Sequence, residues 1–168
     1  IYGLTTKEEF NRLKEKSAPY FDLEVWDKCV RHSGPKAYAS LDYDNLNQIS
    51  NFWLNVSNIS RQIPMGSNSN LGITFIYDPF IAAGSAVAFV GRCNLPPDWM
   101  SGSLNYESFV TNGSWGPIHE FNHHFQRYGF NPGDEVTNNA ISLLSYINYT
   151  QISQNRSNLS GWSRYLDP

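Results

Sequence analysis

Apolar and polar positions alternate along this chain with two different periods. Leu46, Ile49, Trp53 and Val56 recur at helical spacing, with Phe52 and Ile59 flanking the same face. That pattern predicts a helix over residues 43–61, ended by Pro64 and Gly66 and followed by a loop over 67–70. Residues 71–77 are rich in β-branched and aromatic side chains and read as a strand. Residues 86–90, bracketed by Gly84 and Gly91, read as a second. Near the start, Thr6-Lys7-Glu8-Glu9 has the form of a capping box, opening a helix that runs to about Lys16 and stops at Ala18-Pro19. Residues 20–31 mix aromatics with charges; they fit a strand and a turn, and periodicity takes them no further. Residues 94–105, with Pro96, Pro97 and Gly102, read as a loop at a cleft rim. Residues 148–168 are Asn- and Ser-rich, with Trp162 and Tyr165 as their apolar anchors. No internal repeat or linker is visible.

A third helical segment carries chemistry. Pro117 suits a first helical position and Gly129 an exit position. Between them Ile118, Phe121, Phe125 and Tyr128 form an apolar stripe, while His119, His123 and Gln126 share another face. His119-Glu120-Phe121-Asn122-His123 is an H-E-x-x-H pentapeptide. On a helix its two histidines sit about 40° apart around the axis and about 6 Å apart along it, close enough for one metal. The carboxylate between them is placed to touch a water on that metal. The same pentapeptide also arises by chance on ordinary buried helices.

Zinc in a catalytic site takes three protein ligands and leaves one position open. The H-E-x-x-H-x-x-G-x-x-H solution is excluded, because Gln126 and Gly129 stand where its Gly and last His belong. The remaining common solution is a glutamate on the next helix. Residues 134–139 open such a helix, whose predicted apolar stripe is Val136, Ala140, Leu143, Leu144 and Ile147. Glu135, Asn139 and Ser142 make a polar stripe beside it. The turn from Gly129 to Gly133 spans up to about 15 Å, enough to return Glu135 beside His119 and His123. Glu135 also has a plainer use, as a carboxylate favoured at a helix N-terminus. Asn139, one turn on, is placed to hydrogen-bond a ligand histidine or to face solvent.

The run from Trp115 to Gln126, followed by Gly133-Asp134-Glu135-Val136-Thr137-Asn138-Asn139, resembles the enhancin-like zinc peptidases of the M60 family. The run from Asp78 to Arg92 resembles them too, and the likeness is strong over residues 71–147. It implies an α+β fold with a zincin-like, gluzincin-type core: a small twisted sheet on an active-site helix, then a second helix bearing the glutamate. It implies zinc held by His119, His123 and Glu135, with Glu120 as general base in peptide hydrolysis. In several relatives the substrates are O-glycosylated, mucin-like proteins. Relatives also include vertebrate channel-associated factors, so a binding or surface-antigen module with structural zinc is the alternative reading. A zinc amidase with a non-protein substrate is a third.

Composition bounds the rest. The 168 residues suffice for one domain with a proper core, and 1–168 reads as a single catalytic domain excerpted from a longer protein. A net charge of −3 and the lack of any basic cluster argue against nucleic-acid binding. No apolar run reaches membrane-spanning length. Asn-x-Ser/Thr sites at Asn55, Asn58, Asn112, Asn148, Asn155 and Asn158 point to a secreted or cell-surface glycoprotein, although an Asn-rich composition produces several unaided. Cys29 and Cys93 permit one disulfide and require none. The small residues Gly84, Ser85, Ala86 and Ala88 either admit a bulky or glycosylated substrate to a strand edge or allow tight sheet packing. Trp99 and Tyr106 suit the core better than a sugar platform. For the residue that would stabilise the oxyanion, Tyr146 and Tyr149 are candidates of equal standing, Tyr128 belongs to the apolar stripe, and His124 faces away from the ligands.

Overall fold

The computed structural model describes residues 1–25, 30–62, 72–81, 86–112, 115–126 and 134–149. Helix α1 (Lys7–Lys14) starts where the capping box places it: the Thr6 hydroxyl accepts from the Glu9 N–H. Strands β1 (Tyr20–Glu24) and β2 (Val30–Pro35) form an antiparallel pair. Helix α2 (Tyr43–Gln62) crosses to β3 (Ile73–Tyr77). A tight hairpin of β4 (Val87–Phe89) and β5 (Arg92–Leu95) follows. The short helices α3 (Trp99–Ser103) and α4 (Tyr106–Asn112) lead to α5 (Trp115–Asn122) and then α6 (Asp134–Tyr149).

The strands make one mixed sheet in the order β1-β2-β3-β5-β4. β3 runs parallel to both β2 and β5, and β4 closes one edge antiparallel to β5. Gly91 sits at φ +73°, a left-handed conformation that lets the hairpin turn in two residues. β3 buries alternate positions, Ile73, Phe75 and Tyr77, against the helices. Helix α2 answers with Ile49, Phe52, Trp53 and Val56. Trp53 is the hub, with ring centroids 4.9 Å from Phe75, 5.5 Å from Phe109 and 5.6 Å from Phe121. Burying each such ring is worth roughly 1.5–3 kcal/mol, so this cluster dominates the stability of the fold. The architecture is α+β. Among the described residues no helix is long and apolar enough to cross a membrane.

Several expectations shift. Residues 20–31, which periodicity did not resolve, hold β1 and the start of β2, with 26–29 outside the described residues. Residues 94–105, expected to be a loop, contain the end of β5 and all of α3. Trp99 and Tyr106 pack partly buried against the core cluster. Helix α5 begins two residues before Pro117 and ends at Asn122, so it is shorter than the segment closed by Gly129, which lies outside the described residues. Pro117 still costs no hydrogen bond, because the first-turn N–H groups have no partner within a helix.

The largest correction concerns α6. Val136 is 55% exposed and Leu144 49%, whereas Thr137, Asn138, Ile141 and Ser142 are buried. The polar side of the helix faces inward. The reason is its partner: α5 offers α6 a backbone carbonyl, an imidazole and a carboxamide, which an apolar stripe could not satisfy. Cys93 is a free, buried thiol, and Cys29 lies outside the described residues.

Candidate metal centre

The site is assembled from the α5 end, the first turns of α6 and the edge strand β4. At the α5 start, Gly116 lies flat under the Trp99 ring; a Cβ there would fall among the indole atoms, so only glycine allows the approach. Ile118, Phe121 and Phe125 are wholly buried and fasten this segment to the core. His119 lies on the opposite side of α5, and His123 follows immediately after its last residue. The His123 N–H still donates to the His119 carbonyl at 3.3 Å, which keeps the two side chains on one face.

Both imidazoles are oriented by carboxamides. His119 Nδ1 lies 2.9 Å from Asn139 Oδ1, and His123 Nδ1 lies 2.9 Å from Gln126 Oε1. A carboxamide oxygen only accepts, so each contact suits a ring proton on Nδ1 and turns Nε2 toward the gap. The two Nε2 atoms face one another at 3.1 Å. The Glu135 carboxylate closes the group, 3.0 Å from His119 Nε2 and 3.5 Å from His123 Nε2. One ligand atom from each residue lies within 4.8 Å of the others. Three such atoms pointing at one place suit a cation between them. Tetrahedral zinc with bonds of about 2.0–2.1 Å would hold such atoms about 3.3–3.4 Å apart, close to the spacing seen. The donor set therefore fits the metal that the sequence pattern implied.

Glu120 is partly buried beside this group. Burial first, and the charge of Glu135 second, push its carboxyl up to about 7. A cavity of about 450 Å³ is lined by Ala86, Val87, Ala88, His119, Glu120, His123 and Glu135. The cavity thus joins the proposed base, the three candidate ligands and β4, the outermost strand of the described sheet. Gly84 and Ser85 lie outside the described residues.

His124 turns away from the cleft, as its position next to His123 requires. Its Nε2 lies 3.3 Å from Cys93 Sγ. Burial, then the neighbouring His123, push the His124 imidazole down to about 4, while a hydrogen bond to the Arg92 backbone opposes the shift. Burial, reinforced by Glu120, pushes the Cys93 thiol well above its ordinary range. Tyr128 and the side chains of Tyr146 and Tyr149 lie outside the described residues.

The sequence pattern pointed to His119, Glu120, His123 and Glu135 and left Asn139 between a ligand histidine and solvent; the structure brings all five close together. The pattern gave no role of their own to Gln126, Asn122, Asn138 and Ser142. Gln126 had a readable signal, since three residues past a helical histidine is the spacing at which side chains meet. The others face the seam between α5 and α6, which only the fold defines.

The family described as Peptidase M60, enhancin and enhancin-like matches residues 1–165. "Antigenic protein NP1" of Entamoeba histolytica is 36% identical over 180 aligned residues, covering 99% of this chain and 27% of that protein. "Antigenic protein P1" of Entamoeba histolytica (strain ATCC 30459 / HM-1:IMSS / ABRM) is likewise 36% identical, covering 99% of this chain and 16% of its own length. The chain thus spans about a quarter and about a sixth of these curated relatives. No solved structure matches.

Proposed function

The chain belongs to the enhancin and enhancin-like M60 peptidases, and from that premise we propose that residues 1–168 form the single catalytic domain of a zinc-dependent endopeptidase. Its α+β core is read as zincin-like, with His119, His123 and Glu135 as zinc ligands and Glu120 as general base. The observation that carries this reading is the convergence of three ligand atoms, with each histidine Nδ1 held against a carboxamide oxygen so that Nε2 faces the gap. Zinc bound there supplies Lewis acidity, acidifying water and polarising a substrate carbonyl.

The chain's own groups do the rest. Glu120 accepts the proton of the attacking water and delivers a proton to the leaving nitrogen. Burial beside the cleft raises its carboxyl above the ordinary carboxylate range, the direction that suits a group that both takes and gives a proton near neutral pH. The outer edge of β4 pairs with an extended peptide through backbone hydrogen bonds, and the small side chains of Ala86 and Ala88 leave room above it. Secreted or surface proteins, including O-glycosylated mucin-like ones, are the proposed substrates. A secreted or cell-surface location is proposed on the same basis, and the exposed Asn58 on α2 offers an acceptor for a glycan.

Glu120→Gln tests the assignment. Zinc content should stay near normal while turnover falls roughly 10²–10⁴-fold. Near-normal turnover would refute the role of Glu120. The relatives' printed names favour a second reading, a surface antigen in which zinc is structural. Zinc-loaded protein that cleaves neither mucin glycoprotein nor unglycosylated protein, before or after chelation, would support that reading instead.

A further inference from the structure

A carboxamide stands at the junction of three helices, and the hydrolytic chemistry makes no use of it. Asn122 is the last residue of α5 and is wholly buried. Its Oδ1 accepts from the Ser60 hydroxyl of α2 at 2.7 Å. Its Nδ2 donates to the Ser142 hydroxyl of α6 at 3.3 Å. Ser60 and Ser142 are wholly buried as well. Burying a carboxamide and two hydroxyls is costly unless they satisfy one another, and an apolar trio would fill the same space without that cost. Hydrogen bonds add what apolar contact lacks, a fixed register.

From this junction we infer that Asn122 is a positioning residue for the metal centre: through Ser142 it locks α6 against α5, so that the Glu135 carboxylate stays opposite His119 and His123. The inference rests on the metal site proposed above. Ser142 lies on the Glu135 face of α6, about two turns or 10.5 Å further along. A slip of α6 by one residue would move Glu135 about 1.5 Å along the axis and about 100° around it, out of reach of both imidazoles. Asn138, one turn nearer, makes a second pin by donating to the His119 carbonyl at 2.8 Å. Two pins at different heights fix both sliding and rotation. Ser60 supplies the foundation, since α2 is anchored in the core through Trp53 and Val56. The junction also fixes the stem of His123, which follows Asn122 directly.

The test compares zinc dissociation constants, by chelator competition, for the full-length protein and for Asn122→Ala, Ser142→Ala and the double variant. Each is measured where circular dichroism shows its apo form folded. Asn122→Ala should weaken zinc binding roughly 10–100-fold. Ser142→Ala should weaken it in the same direction, and the double variant should be no weaker than Asn122→Ala, because both changes break one connection. Unchanged zinc affinity in a folded Asn122→Ala with a lowered melting temperature would overturn the inference and leave Asn122 a stability residue only. If Asn122→Ala does not fold, Ser142→Ala decides alone: weakened binding supports the inference and unchanged binding overturns it. Wild-type protein that binds zinc while neither variant is affected refutes this inference and spares the proposed function. Wild-type protein that binds no zinc refutes both.

Discussion

On the side of α5 that meets α2 and the sheet, contacts are mainly apolar and aromatic, the Ser60–Asn122 hydrogen bond apart: Phe121 lies 5.6 Å from Trp53 and 6.1 Å from Phe75. On the side that meets α6, the contacts are carboxamides, hydroxyls and an imidazole: Asn122 to Ser142, Asn138 to the His119 carbonyl, Asn139 to the His119 ring. These two regions do different work. Apolar burial is non-directional and contributes stability in proportion to area. A hydrogen bond adds only about 0.5–1.5 kcal/mol net, but it has a direction and a length. Stability in this molecule therefore resides mainly on one side of α5 and ligand geometry on the other. Variants on the two sides should separate into those that lower stability and those that lower metal affinity.

The largest effect should come from the aromatic side. Trp53→Ala removes the hub of the core and should cost about 3–5 kcal/mol in denaturant unfolding. The zinc affinity of whatever remains folded should be unchanged. A large loss of affinity in folded Trp53→Ala would break the comparison, because it would mean that apolar packing also sets the ligand geometry.

The aromatic side also carries an acid weakness, a buried imidazole. His32 is wholly buried, stacked on Phe75 at 4.8 Å, with Nδ1 3.0 Å from the Tyr77 hydroxyl. Its Nε2 has no hydrogen-bond partner among the described residues. Burial pushes its imidazole down to about 3. Unfolded, the group titrates near 6.5. The folded state thus holds it neutral while the unfolded chain takes up the proton. The penalty is absent above pH 6.5, grows as pH falls, and is complete below about 3. Linkage gives a loss of about 2–3 kcal/mol by pH 4.5. Urea unfolding of wild type and His32→Leu at pH 7.5 and 4.5 measures it. The variant should lose less stability between the two pH values; equal losses would show that another group is responsible.

Why some of this was legible and some not follows from what each pattern encodes. His119, Glu120, His123 and Glu135 were readable because a metal-hydrolase motif restricts both residue type and spacing. Helix α2 was readable because Ile49, Trp53 and Val56 face an apolar sheet, the situation that periodicity assumes. Helix α6 satisfies no such assumption. Its neighbour is polar, so Asn138 and Ser142 go inside and Val136 stays out, and a reading based on apolar spacing selects the wrong face. β1 was obscured by its own edge position, where Asp22 pairs with Arg31 at 2.6 Å across the ladder and breaks the alternation. α3 has five residues, too few for a period to show.

The smallest effect should be the most diagnostic. Asn139 is partly buried, so changing it should leave the melting temperature of the apo protein nearly unaltered. Its Oδ1 accepts the Nδ1 proton of His119 at 2.9 Å, which both orients the ring and sets how strongly Nε2 donates. Asn139→Leu keeps the volume and removes the acceptor; the ring loses its orientation, and zinc affinity should fall roughly 10–100-fold. Asn139→Asp replaces a neutral acceptor with a charged one. The bond becomes charge-assisted, the imidazole becomes a better donor to a cation, and zinc should bind more tightly than in wild type. Opposite signs at one position cannot arise from general loosening of the fold. Equal weakening by Leu and Asp, read by chelator competition, would show that the seam positions His119 by shape and not through this hydrogen bond, and the division of labour across α5 would then be weaker than the geometry implies.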